Sequence, residues 1–388
     1  MIGKLKNNIT RLNRDELTCK YKKKSCIYFA ICMIILLLLP FTSLFNLAMK
    51  LYPDYSQFDD DCQIHIVDVG QALAVMIHCS DANIIFDTGK VDDWNLVDKY
   101  IDKILLKDGG NIDYMILSHV DYDHSGNANN ILTKYHPNNI VIPDMSDAMR
   151  YHDYQYSFHY QIFMDNLTKS NSTILYNHAG LELELGNISC KWLAPTLSYY
   201  DNTNDYSAVV LMEYNGIKTL LAGDSGHNIG LSDHLNIEGQ YLSYARLNDI
   251  DTDVDVLVAG HHGSKYSTSL DLLEALKPEN IFVSVGKNTY GHPSNELYST
   301  IAQYDTNKNT DLSNHIYTTL HNNNIVLNID GDAYNISTFD RIDNYLFVSF
   351  WIIDMVLFVP AMYVFLDSYI IYYKITHIYN RNHKTSKK

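Results

Sequence analysis

The chain has 388 residues, of which 46% are hydrophobic and 19% charged, with 45 acidic against 29 basic side chains and a net charge of −16. No internal repeat or low-complexity linker interrupts it, and a segment of this length can bury a substantial core. The acidic balance opposes contact with a nucleic-acid backbone, which ordinarily needs a basic groove.

In chain order, residues 1–24 carry eight basic side chains against Asp15 and Glu16 and read as a basic cytoplasmic segment. Residues 25–47 follow, uncharged from Cys26 to Leu47. About 20 apolar residues suffice to cross a bilayer, so this stretch is expected to be a transmembrane helix. A cleavable signal peptide is the competing reading, and the absence of a small-x-small site after the apolar run favours an uncleaved anchor. A second apolar segment, 345–366, contains Asp354 and Pro360 and is also expected to span, with a docked terminal helix as its alternative. The tail, 367–388, is again basic. The ends carry net +6 and +4 and the chain −16, so the region between them carries −26. The positive-inside bias then keeps both ends cytoplasmic and turns the domain between the spans, 59–341, outward.

Within that domain, apolar runs predict strands near 63–69, 73–78, 83–86, 114–117, 139–142, 188–193, 207–213, 217–222, 255–259, 281–285 and 324–328. Helices are expected near 95–107, 126–135, 145–166, 267–276 and 294–304. Residues 145–172 and 225–252 read as insertions that either wall a cleft or pack on the surface. Cys62, Cys79 and Cys190 are too few for a disulfide framework, although a Cys62–Cys79 bridge is possible. Sequons at Asn166, Asn171, Asn187 and Asn335 matter only in a eukaryotic secretory pathway.

The chemistry is concentrated in Ser118-His119-Val120-Asp121-Tyr122-Asp123-His124, directly after the apolar Tyr114–Leu117. Imidazoles and carboxylates crowded into one turn at a sheet edge would repel or stay unsatisfied without a cation. The other reading is a polar turn that is merely rich in His and Asp. Three more apolar runs end the same way, at Asp87-Thr88-Gly89, at Gly223-Asp224 and at Gly260-His261-His262-Gly263-Ser264. Each brings a polar side chain to a strand end beside a glycine that lets backbones approach.

These motifs, with Val67-Asp68-Val69-Gly70-Gln71, Asn204-Asp205-Tyr206-Ser207 and Tyr290-Gly291-His292-Pro293, resemble the metallo-beta-lactamase superfamily. Within it, the chain resembles the soluble hydrolase domain of ComEC-type DNA-uptake competence proteins. The resemblance covers about residues 62–339 and departs from the pattern where Ala72, Leu73 and Ala74 follow Gln71 in place of Gly-Asp. It also lacks the polytopic channel of those proteins.

The resemblance implies an α/β fold, a four-layer αββα sandwich flanked by the two transmembrane helices, with two divalent metal ions, zinc or manganese, at one edge. His119 and Asp121 would hold one ion and Asp123 and His124 the other. Asp224 would bridge, and one of His261 or His262 would complete the second site. The third motif lacks the histidine that many relatives place there, which leaves Asp205 as a candidate. Asp87, and with it Asp68, would orient the ligands.

Asp123, His292 and Lys265 are the candidate catalytic residues. His292 would serve as a general acid and Lys265, with Ser264 and Ser269, as a phosphate contact. A structural turn at His292, a solvated Lys265 and a capping Ser264 are the plain alternatives. The expected function is a membrane-anchored hydrolase, a phosphodiesterase acting outside the cytoplasm through a metal-bound hydroxide. Its substrate would be small or envelope-linked, with DNA disfavoured by charge. The alternatives are a nuclease acting on extracytoplasmic DNA and a metal-binding sensory module without catalysis.

Overall fold

The computed structural model describes residues 61–107, 109–227 and 235–339, together with the isolated positions Ile27, Tyr363, Leu366, Ile370 and Tyr373. The basic ends and the expected spans 25–47 and 345–366 otherwise lie outside the described residues. Among the described residues, no helix is long and apolar enough to cross a membrane.

Alternation sets the first strand. In β1 (Cys62–Ile66), Cys62, Ile64 and Ile66 face the core while Gln63 and His65 take the other side. That other side is buried too, under helix Trp94–Tyr100, so its polar groups need partners inside the protein. Gln63 donates to Asn328 Oδ1 at 3.0 Å, and His65 Nδ1 meets the Tyr100 hydroxyl at 2.8 Å. Burial, then the charges of His78 and Lys107, pushes His65 down to about 3, so its imidazole is neutral.

β2 (Ala74–Cys79), β3 (Ala82–Thr88), β4 (Tyr114–Ile116), β5 (Asn139–Pro143) and β6 (Thr173–Asn177) continue one sheet. With β14 (Asn324–Asp330) and β15 (Ala333–Phe339), it has eight strands in the order β15-β14-β1-β2-β3-β4-β5-β6. β7 (Glu182–Leu185), β8 (Ile188–Ala194), β9 (Val209–Tyr214), β10 (Ile217–Leu221), β11 (Val256–Val258), β12 (Asn280–Val283) and β13 (Ile316–Thr318) form the other. Its seven strands run β13-β12-β11-β10-β9-β8-β7. Ile64, Val75, Ile84 and Phe86 of the first sheet share one apolar cluster with Trp192, Val210, Met212, Val258 and Phe282 of the second. The result is a two-sheet α/β sandwich within a unit spanning Ser56–Ile342.

Both sheets are mixed, and this places the site. β3, β4 and β5 are parallel in the first, as are β10, β11 and β12 in the second, so each group delivers its C-terminal ends to one edge. Cys62 and Cys79, paired in the β1–β2 register, form a disulfide, and Cys190 is free and buried.

Several elements depart from expectation. The helix expected at 95–107 is α-helical only over Trp94–Tyr100 and continues as a π-turn, Ile101–Leu105. The one expected at 145–166 is two, Ser146–Tyr151 and Phe158–Leu167. Helix Ile237–Leu247 lies in the 225–252 insertion, and β6, β7, β13 and β15 are additional strands. β6 and β15 are edge strands with no fully buried apolar residue, and their apolar runs are too brief to stand out in the sequence.

Gly223 shows how tightly the strand ends meet. It has φ +52, and a Cβ there would lie 2.9 Å from Ser118 Cβ and 3.0 Å from Ser207 Cβ. Gly223→Ala is therefore expected to cost on the order of 1–3 kcal/mol from backbone strain alone, with the clash in addition. Thermal denaturation checks this, and an unchanged melting temperature would show that the edge is looser than described.

Candidate metal centre

The His/Asp box begins where β4 ends. Leu117 and Ser118 carry the chain to the sheet edge, and Asp121, in extended conformation, precedes the short helix Tyr122–Ser125 that presents Asp123 and His124. The turn is possible because Gly126 lies against backbone, where a Cβ would be 2.6 Å from Tyr122 O and 2.7 Å from Gly89 O.

Asp87, fully buried at the end of β3, organises this turn. Its carboxylate accepts from Ser118 N at 2.7 Å, Ser118 Oγ at 2.6 Å and His124 Nδ1 at 2.8 Å. Ser118 Oγ, having given its proton to Asp87, is placed to accept from His119 Nδ1 at 3.0 Å. Both imidazoles thus have Nδ1 occupied and Nε2 left over.

The second sheet supplies the rest. Asp224 follows β10, and its N–H donates to Ser207 Oγ at 2.9 Å. His261 and His262 follow β11 in consecutive left-handed conformations, φ 49 and 53. That conformation is uncommon for non-glycine residues, and here it turns the two rings apart, with centroids 6.4 Å from each other. His262 Nδ1 donates to Ser284 O at 2.8 Å, which again leaves Nε2 free.

The free atoms converge. His124 Nε2 lies 3.0 Å from Asp224 Oδ1, and His262 Nε2 lies 3.4 Å from Asp123 Oδ2 and 3.8 Å from Asp224 Oδ1. His119 Nε2 is 3.8 Å from Asp121 Oδ2 and 4.0 Å from Asp224 Oδ2, and His261 Nε2 is 3.7 Å from the latter oxygen. Two ligand groups result: His119, His124 and Asp224, and Asp123, His124 and His262.

His119 Nε2, His124 Nε2, His262 Nε2 and Asp224 Oδ1 are buried without a hydrogen-bond partner, the 3.0 Å approach of His124 to Asp224 lacking hydrogen-bond geometry. Buried polar atoms left in this way are costly. Three imidazole Nε2 atoms, facing carboxylates and held by hydrogen bonds on their far sides, suit a divalent cation once deprotonated.

The charges of the metal-free protein agree. Burial alone would lower His124, but Asp224 and Asp87 outweigh it and hold its imidazole well above the usual range. Burial would raise Asp224, but His124, His261 and His262 hold it well below. Asp123 is likewise lowered, with the close approach of His262 and the His124 charge overcoming burial. A proton on His124 thus stands where a cation would go.

Other expected site residues lie elsewhere. Asp205 is in neither ligand group; it is buried and its carboxylate accepts from Leu235 N at 3.4 Å. From the same motif, Asn204 Nδ2 reaches His261 Nε2 at 3.5 Å. Asp68 accepts from Gly70 N at 3.2 Å, within its own turn. Lys265 is exposed, with its ammonium 4.9 Å from the Tyr266 ring. Ser264 accepts from Tyr266 N, and Ser269 caps helix Leu270–Leu276.

His292 packs edge-on against His261 at 5.5 Å, and its Nδ1 meets Gln71 Nε2 at 3.3 Å. Burial, then the charges of His261 and His262, lowers it to about 4, so near neutral pH it can donate a hydrogen bond but carries no extra proton. Tyr154, from the 145–172 insertion, has its phenol pushed up to about 12 by burial and then by the charge of Asp121. Ser118, Ser207 and Ser284 hold the ligands in place. A lone serine carries no sequence signal beyond its place in a motif.

Two sheets packed face to face, with a His/Asp-rich metal centre on the ends of their parallel strands, define a class of metalloprotein. The metallo-beta-lactamase superfamily matches residues 67–285, more than half of the chain, and the chain belongs to it. Recombination protein 2 of Haemophilus influenzae is 27% identical over 246 residues, 62% of this chain and 26% of that protein. ComE operon protein 3 of Bacillus subtilis is 24% identical over 268 residues, 64% of this chain and 32% of that one. The chain thus spans about a quarter to a third of the length of these relatives. Among solved structures, the metallo-beta-lactamase fold protein YhfI of Bacillus subtilis is similar at 10% identity and a TM-score of 0.41, covering 69% of this chain and 99% of that one.

Loading the centre must displace the His124 proton. Because the folded pKa of His124 is raised, that proton's stabilising contribution is complete below about pH 6.5 and fades as pH rises through the folded value. Zinc affinity is accordingly expected to rise by about tenfold per pH unit for one displaced proton between pH 6 and 8. Calorimetry in buffers of different ionisation enthalpy measures the release, and affinity independent of pH would show that His124 is not a ligand. Asp123→Ala and Asp224→Ala should each remove at least one ion by elemental analysis, and full metal content in both variants would overturn the centre.

Proposed function

We propose that the chain is a membrane-anchored, metal-dependent phosphodiesterase acting outside the cytoplasm on a small or envelope-linked phosphodiester. The observation that carries the hydrolytic reading is the set of buried, unpartnered Nε2 atoms of His119, His124 and His262 converging on Asp224. Two divalent ions bound there, zinc or manganese, would lower the pKa of a shared water and polarise a phosphoryl oxygen.

The protein's own groups divide the remaining work. Asp87 fixes the ring of His124 directly and that of His119 by way of Ser118. Asp123 stays ionised against His262. Neutral His292, touching Gln71, offers a hydrogen bond to a leaving oxygen but not a ready proton.

Anchoring rests on the basic ends and the apolar segments 25–47 and 345–366. The Cys62–Cys79 disulfide suits an oxidising compartment outside the cytoplasm. The net −26 of the region between the ends disfavours a polyanion and leaves a small substrate, or one presented by the envelope, as the better fit.

A second reading, a nuclease acting on extracytoplasmic DNA, is favoured by the relatives, one of which is named Competence protein ComA of Neisseria gonorrhoeae, 23% identical over 285 residues. A metal-sensing module without catalysis is the least supported.

Salt separates the first two. Screening relieves repulsion between an acidic domain and DNA, so any DNA cleavage should hold steady or improve from low to moderate ionic strength, while a small phosphodiester is turned over faster throughout. Rapid DNA cleavage at low salt that collapses as salt rises would favour the nuclease. Topology has its own check. Cysteines introduced near residue 10 and in the tail should be shielded from an impermeant reagent in intact cells, while those in the domain react. A tail that labels from outside would show that 345–366 does not span.

A further inference from the structure

Glu238 is a carboxylate at 2% exposure on helix Ile237–Leu247, in a segment that the sequence marks only as an insertion. Burying a charge is expensive unless hydrogen bonds replace its water. Those bonds come from one place: Thr268 N donates to Oε1 at 2.6 Å and Ser269 N to Oε2 at 3.0 Å. Thr268 has φ +60, a left-handed conformation strained for a β-branched residue. Glu238 therefore clamps a backbone that would otherwise relax.

What it clamps is the loop that follows the paired histidines. Ser267 Oγ donates to Gly260 O at 2.7 Å, so the segment held by Glu238 is tied back to the start of the His261-His262 turn. Glu238 N donates to Gly226 O at 3.0 Å, and His227 N donates to Tyr266 O at 2.7 Å. His261 N donates to Gly223 O at 3.0 Å. The loop bearing Asp224 and the loop bearing His261 and His262 are thus zipped along one seam, with Glu238 at its closed end. The basic group beside it is His227, whose Nδ1 lies 3.7 Å from Oε2, and among the described residues no Lys or Arg pairs with it.

We propose that Glu238 is a positioning residue for the metal centre: by pinning Thr268 and Ser269, it sets the spacing between Asp224 and the paired histidines. The proposal rests on the metal centre and not on any choice of substrate.

The test uses the full chain and reads metal binding as well as stability. In Glu238→Gln, the amide oxygen can keep one of the two backbone bonds and the charge is lost. This variant is expected to bind zinc at least tenfold more weakly in competition with a chromophoric chelator and to shift the visible band of the cobalt-substituted protein. Adding Thr268→Gly should recover most of that loss, because glycine takes the left-handed conformation without the clamp.

A purely structural residue would lower the melting temperature while leaving zinc affinity and the cobalt band of the folded protein unchanged, and that result overturns the proposal. If Glu238→Gln does not fold, Glu238→Asp, which keeps the charge but shortens its reach, is read by the same two criteria. A wild-type chain that binds no zinc overturns the metal centre and this role with it.

Discussion

One buried carboxylate fixes the orientation of the site. Asp87 accepts three hydrogen bonds from the turn that follows the neighbouring strand, two from Ser118 and one from His124, and leaves no oxygen facing solvent. Its own backbone is left-handed, φ 57, so the strand pays for the placement. The consequence passes through Ser118 and His124 to the imidazole edges: each ring is held by Nδ1 and offers Nε2. A side chain without access to a ligand thereby decides which nitrogen of two histidines a ligand meets.

The second sheet meets that arrangement with a different device. Asp224 and the paired histidines are held by backbone conformation, through Gly223 at φ +52 and His261 and His262 at φ 49 and 53. Hydrogen bonding to a buried acid on one side and unusual backbone angles on the other both spend stability locally. The large apolar cluster between the sheets offsets that cost.

The fold was legible where apolar runs were long. β1 to β5 and β8 to β12 were expected from their hydrophobic patterns, and their ends from glycine and aspartate. β15 escaped because Asn335, Ser337 and Thr338 break up the apolar residues of this edge strand, Ala333–Phe339, although the Gly331-Asp332 turn before it marks a hairpin. The ligand box was legible because four ionisable groups stand within six positions. Asp205 was read as a candidate from its motif alone, and its contact with Leu235 depends on an insertion that sequence could not place. Glu238 gave no signal, since a glutamate in an amphipathic helix ordinarily faces water, and only the tertiary approach of residues 268 and 269 buries it.

The two sheets also divide the ligands by time. Of the grouped candidate ligands, His119, Asp123 and His124 come from the first half of the chain and Asp224 and His262 from the second, and the expected ligands Asp121 and His261 fall in neither group. A nascent chain that ends before residue 261 carries Asp121, Asp123 and Asp224 but lacks the imidazoles of His261 and His262. Selective capture of an ion therefore waits until the second sheet has closed on the first. An ion held there would then be drawn from whatever compartment the protein finishes folding in, so cellular geography would weigh on the choice of metal alongside ligand chemistry.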